Sequence, residues 1–479
     1  MNLNKSLLEE FSRNFDKDGK NTLAQNAATK NNINHILLNN QVTQNINHVV
    51  SNYIQRETKA SNQKSSGRCW LFAFQNMLRL KMIEKYNIHD KDFEFSHIYP
   101  FFYDKLERTN YFLHNIADTR KKPLTDRLIH HLLDEPINDG GQWNMVVNLY
   151  NKYGMIPKHS MKETFQSNNT NNINNFLNNK LKEYARIIRE MPEKNFNKEI
   201  KNYIKQCLNE IYNVLVICFG KPPEKINWEY YSKGKSKDGK VYTVVKDISP
   251  IEFTKKFIPF KIEDYVALIN NPTRPYNKLV SLKYFNNFVD GVETQFVNLP
   301  IDSLKVAASK AILNNDAVWF AADVDRFTDS NYGVLDPEIY NYKNLFGIDM
   351  EKDSNKKERM SYRISSLNHA MVFRGIDRPD HIIKERKLKK SNKKDKKKKR
   401  KHLTKKRGGK NFGITKWLVE NSWGNNSGED GFYIMTDKYF DEYVFEVVVP
   451  KKFVGKEVTS ILKQKPIMLE PWDPFGFVL

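Results

Sequence analysis

Leu7, Leu8, Phe11 and Phe15 recur at helical spacing and predict a helix over residues 5–16. Residues 21–30 continue as helix or turn, and residues 31–47 are Asn-rich with a short apolar run at Ile36, Leu37 and Leu38. The strongest helical pattern starts at Cys69. Leu71, Phe74, Leu78 and Met82 form a stripe that Phe72 and Met77 widen, closing over residues 83–86. Residues 93–113 are rich in Phe and Tyr and predict a packed core helix. Pro100 belongs either in its first turn or at a bend, because proline inside a helix removes a hydrogen bond. The run Asp139-Gly140-Gly141-Gln142-Trp143 predicts a turn opening a helix through Val146, Leu149 and Tyr150, which Gly154 ends. The Asn-rich residues 166–179 predict an exposed loop or helix cap, and residues 180–212 an uninterrupted helix.

The period then changes from helical to alternating. Val241-Tyr242-Thr243-Val244-Val245 predicts a strand, Pro272 and Pro275 an irregular connection, and residues 280–296 strands or strand-helix elements. A helix over 301–313 leads into an apolar strand at 317–322. After a polar, loop-rich stretch at 325–363, further strands are predicted at 369–376, 414–420, 431–435 and 444–449. A helical first half and a β-rich second half predict an α+β chain.

The net charge of +22 changes this picture little, because residues 384–407 hold 16 Lys/Arg against two acids and so carry +14 of it. The charge belongs to one tract between two predicted strands, where a surface insertion costs little closure entropy. It does not imply a nucleic-acid surface across the fold. Its readings are a solvated loop, a nuclear-localisation signal or a polyanion-binding segment. It has no interleaved aromatics on which bases could stack. Three cysteines (Cys69, Cys207, Cys218) do not make a disulfide framework and suggest a reducing compartment. No apolar run approaches the length of a membrane span, and the N-terminus lacks the apolar core of a signal peptide. The expectation is a soluble cytoplasmic protein, with nuclear entry through the basic tract as a further option, and no metal or cofactor.

Cys69 stands at the mouth of a predicted helix, where the helix dipole favours a thiolate. Taken alone it reads more readily as an ordinary buried cysteine, since free Cys is among the most buried residue types. Gln63 precedes it across a loop containing Gly67 and could fold back to donate an amide N–H to an oxyanion together with the Cys69 N–H; the alternative is a solvated loop residue. Among 11 histidines, His369 is distinct in opening an apolar strand, as a catalytic or a core residue. Asn421, in Glu420-Asn421-Ser422-Trp423-Gly424, could accept the second imidazole N–H and fix its tautomer, with Trp423 shielding that bond.

The order Gln63, Cys69, His369, Asn421 resembles papain-like cysteine peptidases, and the closer resemblance is to the bleomycin hydrolase (aminopeptidase C) family. It is carried by Leu23-Ala24-Gln25-Asn26-Ala27, the stretch from Asn62 to Trp70, Asp139-Gly140-Gly141-Gln142-Trp143, Ala317-Val318-Trp319-Phe320, Val419 to Gly424 and Trp472-Asp473-Pro474. These run nearly the length of the chain. The resemblance implies a papain-like fold with helical and hook-like insertions. Residues 53–165 would form the helical half and 166–310 the insertions. Residues 311–460 would form the β-rich half, interrupted by a basic loop at 378–410, and 461–479 a C-terminal arm. It implies Cys69, His369 and Asn421 as catalytic residues, Gln63 in the oxyanion hole, and peptide substrates. It further implies a homohexamer and aminopeptidase activity that in some members extends to bleomycin and homocysteine thiolactone. The terminal carboxylate of the arm, here on Leu479, would receive the substrate's free amine. Endopeptidase activity and nucleic-acid binding through the basic tract are the alternative functions.

The chain also departs from the family pattern. Its tail ends in the bulky Phe477-Val478-Leu479, Asn144 stands where an aspartate is usual, and His97, Pro100 and Tyr103 replace commoner residues of an aromatic helix. The basic tract is not a family feature.

Overall fold

The computed structural model describes residues 1–54, 58–88, 93–234, 239–351, 353–378 and 413–476. The basic tract at 384–407 and the terminal residues 477–479, Leu479 included, lie outside the described residues.

The helix expected from Cys69 spans Cys69–Tyr86 and is buried along most of its length, including Arg79. Asn87 closes it in the left-handed conformation at φ 48. Pro100 falls in the first turn of the helix Ile98–Thr119, where its missing N–H had no intrahelical partner to lose. Trp143–Tyr153 follows the expected turn, and Gly154 ends it at φ 74.

Two expectations fail in the middle of the chain. The Asn-rich stretch is not a loop: Asn171–Glu190 is helical and buries Ile173, Leu177, Leu181, Tyr184, Ala185 and Ile188. An apolar stripe at that spacing outweighs the weak helix propensity of asparagine. The long helix predicted next is instead two, Asn171–Glu190 and Phe196–Phe219, parted at Pro192. Proline disfavours helical backbone in the residue before it, and Met191 is extended at ψ 135.

Among the described residues twelve strands form one sheet. Its centre places Val444–Pro450 beside Val318–Ala322, then His369–Asp377, Lys416–Glu420 and Phe432–Thr436. Three strands from the 166–310 span, Tyr265–Ile269, Lys278–Leu282 and Gln295–Asn298, extend the same sheet beyond Val444–Pro450. Ile226–Lys233 and Lys240–Ile248 form a separate hairpin. Because the sheet is covered on both faces, its central strands read as nearly continuous apolar runs. One core holds Cys69, Trp143, Trp319 and Ala370, and the other Phe320, Phe373, Trp417 and Phe440. His369–Asp377 and Lys416–Glu420 pair antiparallel, so the basic tract connects two neighbouring strands.

Candidate active site

The nucleophile candidate is set where helix meets sheet. Cys69 is the first residue of its helix, and the backbone N–H of Ala370, at the start of the His369 strand, reaches its sulfur. Burial pushes the Cys69 thiol up to about 11, against the N–H groups of Ala370, Trp70 and Cys69 itself, which favour the thiolate. Burial likewise pushes His369 down to about 4, although the bond to Asn421 and the charge of Asp325 favour its protonated form. Both shifts favour the uncharged forms, the thiol of Cys69 and the neutral imidazole of His369.

His369 Nε2 lies 2.9 Å from Asn421 Oδ1. An amide oxygen only accepts, so Nε2 carries the proton and Nδ1 is left unprotonated. The Ser422 N–H also donates to Asn421 Oδ1 at 2.7 Å, which fixes which end of the amide faces the ring. The Trp423 ring lies over the imidazole, with centroids 4.9 Å apart, as a shield for that bond.

Gln63 is stitched to the same segment. Its N–H donates to the Ser422 carbonyl at 2.9 Å, Gly424 N–H donates to the Ser61 carbonyl, and Asn62 bridges Trp423. Gln63 is buried rather than solvated. One N–H of its side-chain amide donates to the Ser66 carbonyl at 2.7 Å, and the Ser66 hydroxyl donates back to the Gln63 carbonyl at 2.6 Å. An amide nitrogen has a second donor to offer.

The Gly-Gly turn anchors this loop from behind. The Asp139 carboxylate accepts from the Gly67 N–H at 3.1 Å and pairs with Lys105 at 2.8 Å, and its carbonyl accepts from the Trp70 indole at 2.7 Å. Burial alone would raise the Asp139 carboxyl, but Lys105, with Thr170 and Asn174, holds it well below the usual carboxylate range. A side chain on Gly67 would meet Asp139 Cβ at 2.9 Å, and one on Gly141 would run into the Trp70 ring.

Sequence reasoning missed a buried ion network behind these residues. Glu420 pairs with both Arg79, on the Cys69 helix, and Arg374, on the His369 strand. The only trace in the sequence was charge at positions where the apolar pattern demands none.

The C-terminal arm adds Ile467–Leu469 to the sheet edge, pairs Asp473 with Arg274 and buries Phe475 against Phe296. A cavity of about 380 Å³ borders it, between Asn138, Met145, Asn286, Trp472 and Gly476. Asn144 donates to the Glu293 carbonyl at 2.6 Å, so an uncharged residue has a structural partner there. Among the described residues no cluster of His, Cys, Asp and Glu side chains is placed to hold a metal ion, and no helix is long and apolar enough to cross a membrane.

A Peptidase C1-like family model matches residues 2–401 and 403–476. The chain belongs to that family. It is 38% identical to bleomycin hydrolase of Homo sapiens over 99% of this chain and 98% of that protein. It is 35% identical to aminopeptidase C of Listeria monocytogenes, over 98% and 97%. The crystal structure of PepW from Lactobacillus rhamnosis superposes with a TM-score of 0.88 at 34% identity, covering 100% of this chain and 99% of that one. The Peptidase C1-like chain thus has the papain-like α+β fold expected of it.

Proposed function

We infer that this chain is a cysteine-type aminopeptidase that removes N-terminal residues from peptides. The observation that carries the reading is His369 Nε2 at 2.9 Å from Asn421 Oδ1, on the strand packed against the helix that Cys69 opens. Relatives named aminopeptidase and bleomycin hydrolase support the exopeptidase class and extend the substrate range to the amide of bleomycin.

His369 Nδ1 takes the Cys69 proton as the sulfur attacks the carbonyl carbon. Gln63 and the Cys69 N–H hold the oxyanion, and the loss of one such donor costs on the order of 100-fold or more in rate. His369 then gives its proton to the leaving amine. A water deprotonated by His369 attacks the thioester, and collapse returns the thiol and releases the acyl group.

Replacing Cys69 by Ala should abolish hydrolysis while the unfolding midpoint stays unchanged; turnover in that variant rejects the reading. A matched pair of free and N-terminally blocked peptides separates exopeptidase from endopeptidase, and preference for the blocked peptide favours the latter.

Self-association is part of the same proposal. The helix Lys5–Asp16 buries none of its residues, and Leu8, Phe11 and Phe15 are exposed along its apolar face. A homohexamer would cover that face. Sedimentation equilibrium tests it, and a monomer at micromolar concentration would reject it.

A further inference from the structure

Residues 365–368, which lead into the His369 strand, belong to no helix or strand of their own. One carboxylate gathers them. Asp323 follows the strand Val318–Ala322 and is buried. Its Oδ2 accepts from the Ser365 hydroxyl at 2.5 Å and from the Ser366 N–H at 3.3 Å, and its Oδ1 accepts from the side-chain amide of Asn368 at 2.8 Å. The other end of that amide closes the clasp, where Asn368 Oδ1 accepts from the Val324 N–H at 2.8 Å. The Asn368 backbone N–H donates to the Ala322 carbonyl at 3.0 Å, and His369 pairs with Ala322 in the sheet. Leu367, between the clasped residues, packs into the core that also holds Cys69.

The clasp ends one residue before the imidazole of His369. Asn421 fixes the tautomer of that ring, whereas the backbone that carries the ring is set by the segment before it. The charges around Asp323 leave these donors most of the task of holding a buried carboxylate. Arg326, which pairs with it, stands at 3.9 Å, is partly exposed and also pairs with Glu351. Asp325 opposes its ionisation, and the Tyr439 hydroxyl donates to its backbone carbonyl at 2.6 Å and not to its carboxylate. Burial outweighs the favourable partners and raises the carboxyl to about 6.

We propose that Asp323 is a positioning residue for His369, whose carboxylate clamps residues 365–368 so that the imidazole stays in line for both proton transfers, and whose protonation slackens that clamp. The proposal rests on the peptidase reading above. A neutral carboxyl must place its own proton, and the Ser366 N–H and the Asn368 amide hydrogens can only donate; the Ser365 hydroxyl alone can turn to accept it. The clamp therefore weakens as pH falls through about 6, above the value of about 4 at which His369 itself takes a proton.

The test is steady-state peptide hydrolysis from pH 4.5 to pH 8, with unfolding midpoints measured in parallel. The unmodified protein should lose kcat through a single protonation near pH 6, with little change in KM. Asp323→Asn keeps the shape but cannot titrate, and it sets an NH2 group against donors. Its kcat at pH 7 should fall by up to about a hundredfold, the effect of a misplacement of about 1 Å, and the limb near pH 6 should vanish. Ser365→Ala removes a donor that favours the carboxylate, so its limb should move to higher pH, and it carries the test alone where Asp323→Asn folds poorly. A role in folding alone would lower the unfolding midpoint and leave the limb in place. A flat profile through pH 6 in the unmodified protein, an unmoved limb in Ser365→Ala, or full kcat at pH 7 in Asp323→Asn overturns the proposal. Absence of cleavage by the unmodified protein at every pH would instead reject the peptidase reading, and the proposal with it.

Discussion

Arg79 on the Cys69 helix and Glu420, the residue before Asn421, form an ion pair with both side chains buried. Arg374 of the His369 strand joins the same carboxylate. One glutamate therefore ties together the three elements that carry the site. Removing one partner of a buried pair typically costs about 3–5 kcal/mol, because the other charge is left uncompensated. Glu420→Ala removes the carboxylate that both guanidinium groups share, although Arg79 keeps Glu94 at 3.7 Å, and urea unfolding should show a loss of about that size.

Asn421→Ala should spare the fold more than the chemistry. The imidazole would lose the acceptor that keeps its proton on Nε2, and general acid–base catalysis is worth about 100-fold or more. A fall in kcat of that order, with little change in KM, is the expected steady-state result. An unchanged kcat would remove Asn421 from the site.

The uncharged forms that burial favours make a prediction for thiol reactivity. With the thiol pushed up to about 11, thiolate is scarce at pH 7 and rises roughly tenfold per pH unit over the next two units. Alkylation of Cys69 by iodoacetamide, followed by intact mass, should accelerate accordingly. A rate that is flat from pH 6 to pH 9 would indicate a preformed thiolate–imidazolium pair instead.

His369 also links stability to pH. Its folded value of about 4 lies below the ordinary value of 6.5, so between these the unfolded chain binds more protons. The stability contribution is complete above about pH 6.5 and is lost as pH falls toward 4. Denaturant unfolding at pH 7 and pH 5 should show a smaller decline in His369→Gln than in the unmodified protein.

Gly67→Ala tests the anchor behind the loop that carries Gln63. The new methyl group would meet Asp139 Cβ at 2.9 Å. Overpacking of this kind costs about 1–3 kcal/mol. The loop carrying Gln63 should shift with it, so activity should fall further than thermal stability, as parallel melting and turnover assays would reveal.

For the basic tract, deletion of residues 384–407 followed by DNA retention at two salt concentrations is decisive. If the tract binds phosphates, retention should fall steeply with salt and vanish on deletion. Equal retention by both forms would exclude it as the binding segment.

The sequence by itself determined the helix at Cys69, the strand at His369 and the four candidate residues of the core site. Their signals are local: a 3.6-residue apolar stripe, an apolar run broken by one histidine, and short motifs in a telling order. It misjudged residues 166–212, where asparagine concealed a buried stripe and Pro192 broke a helix in two. Only the tertiary structure decided that Gln63 is stitched to Ser422, that Asp139 anchors Gly67, and that Glu420 draws Arg79 and Arg374 together. It also set the Asp323 carboxylate against Ser365, Ser366 and Asn368, ahead of His369. Periodicity reports which face a side chain takes within its own element. A charge partner or a cross-sheet row depends on strand order and register between distant segments, and these are settled only when the two cores pack.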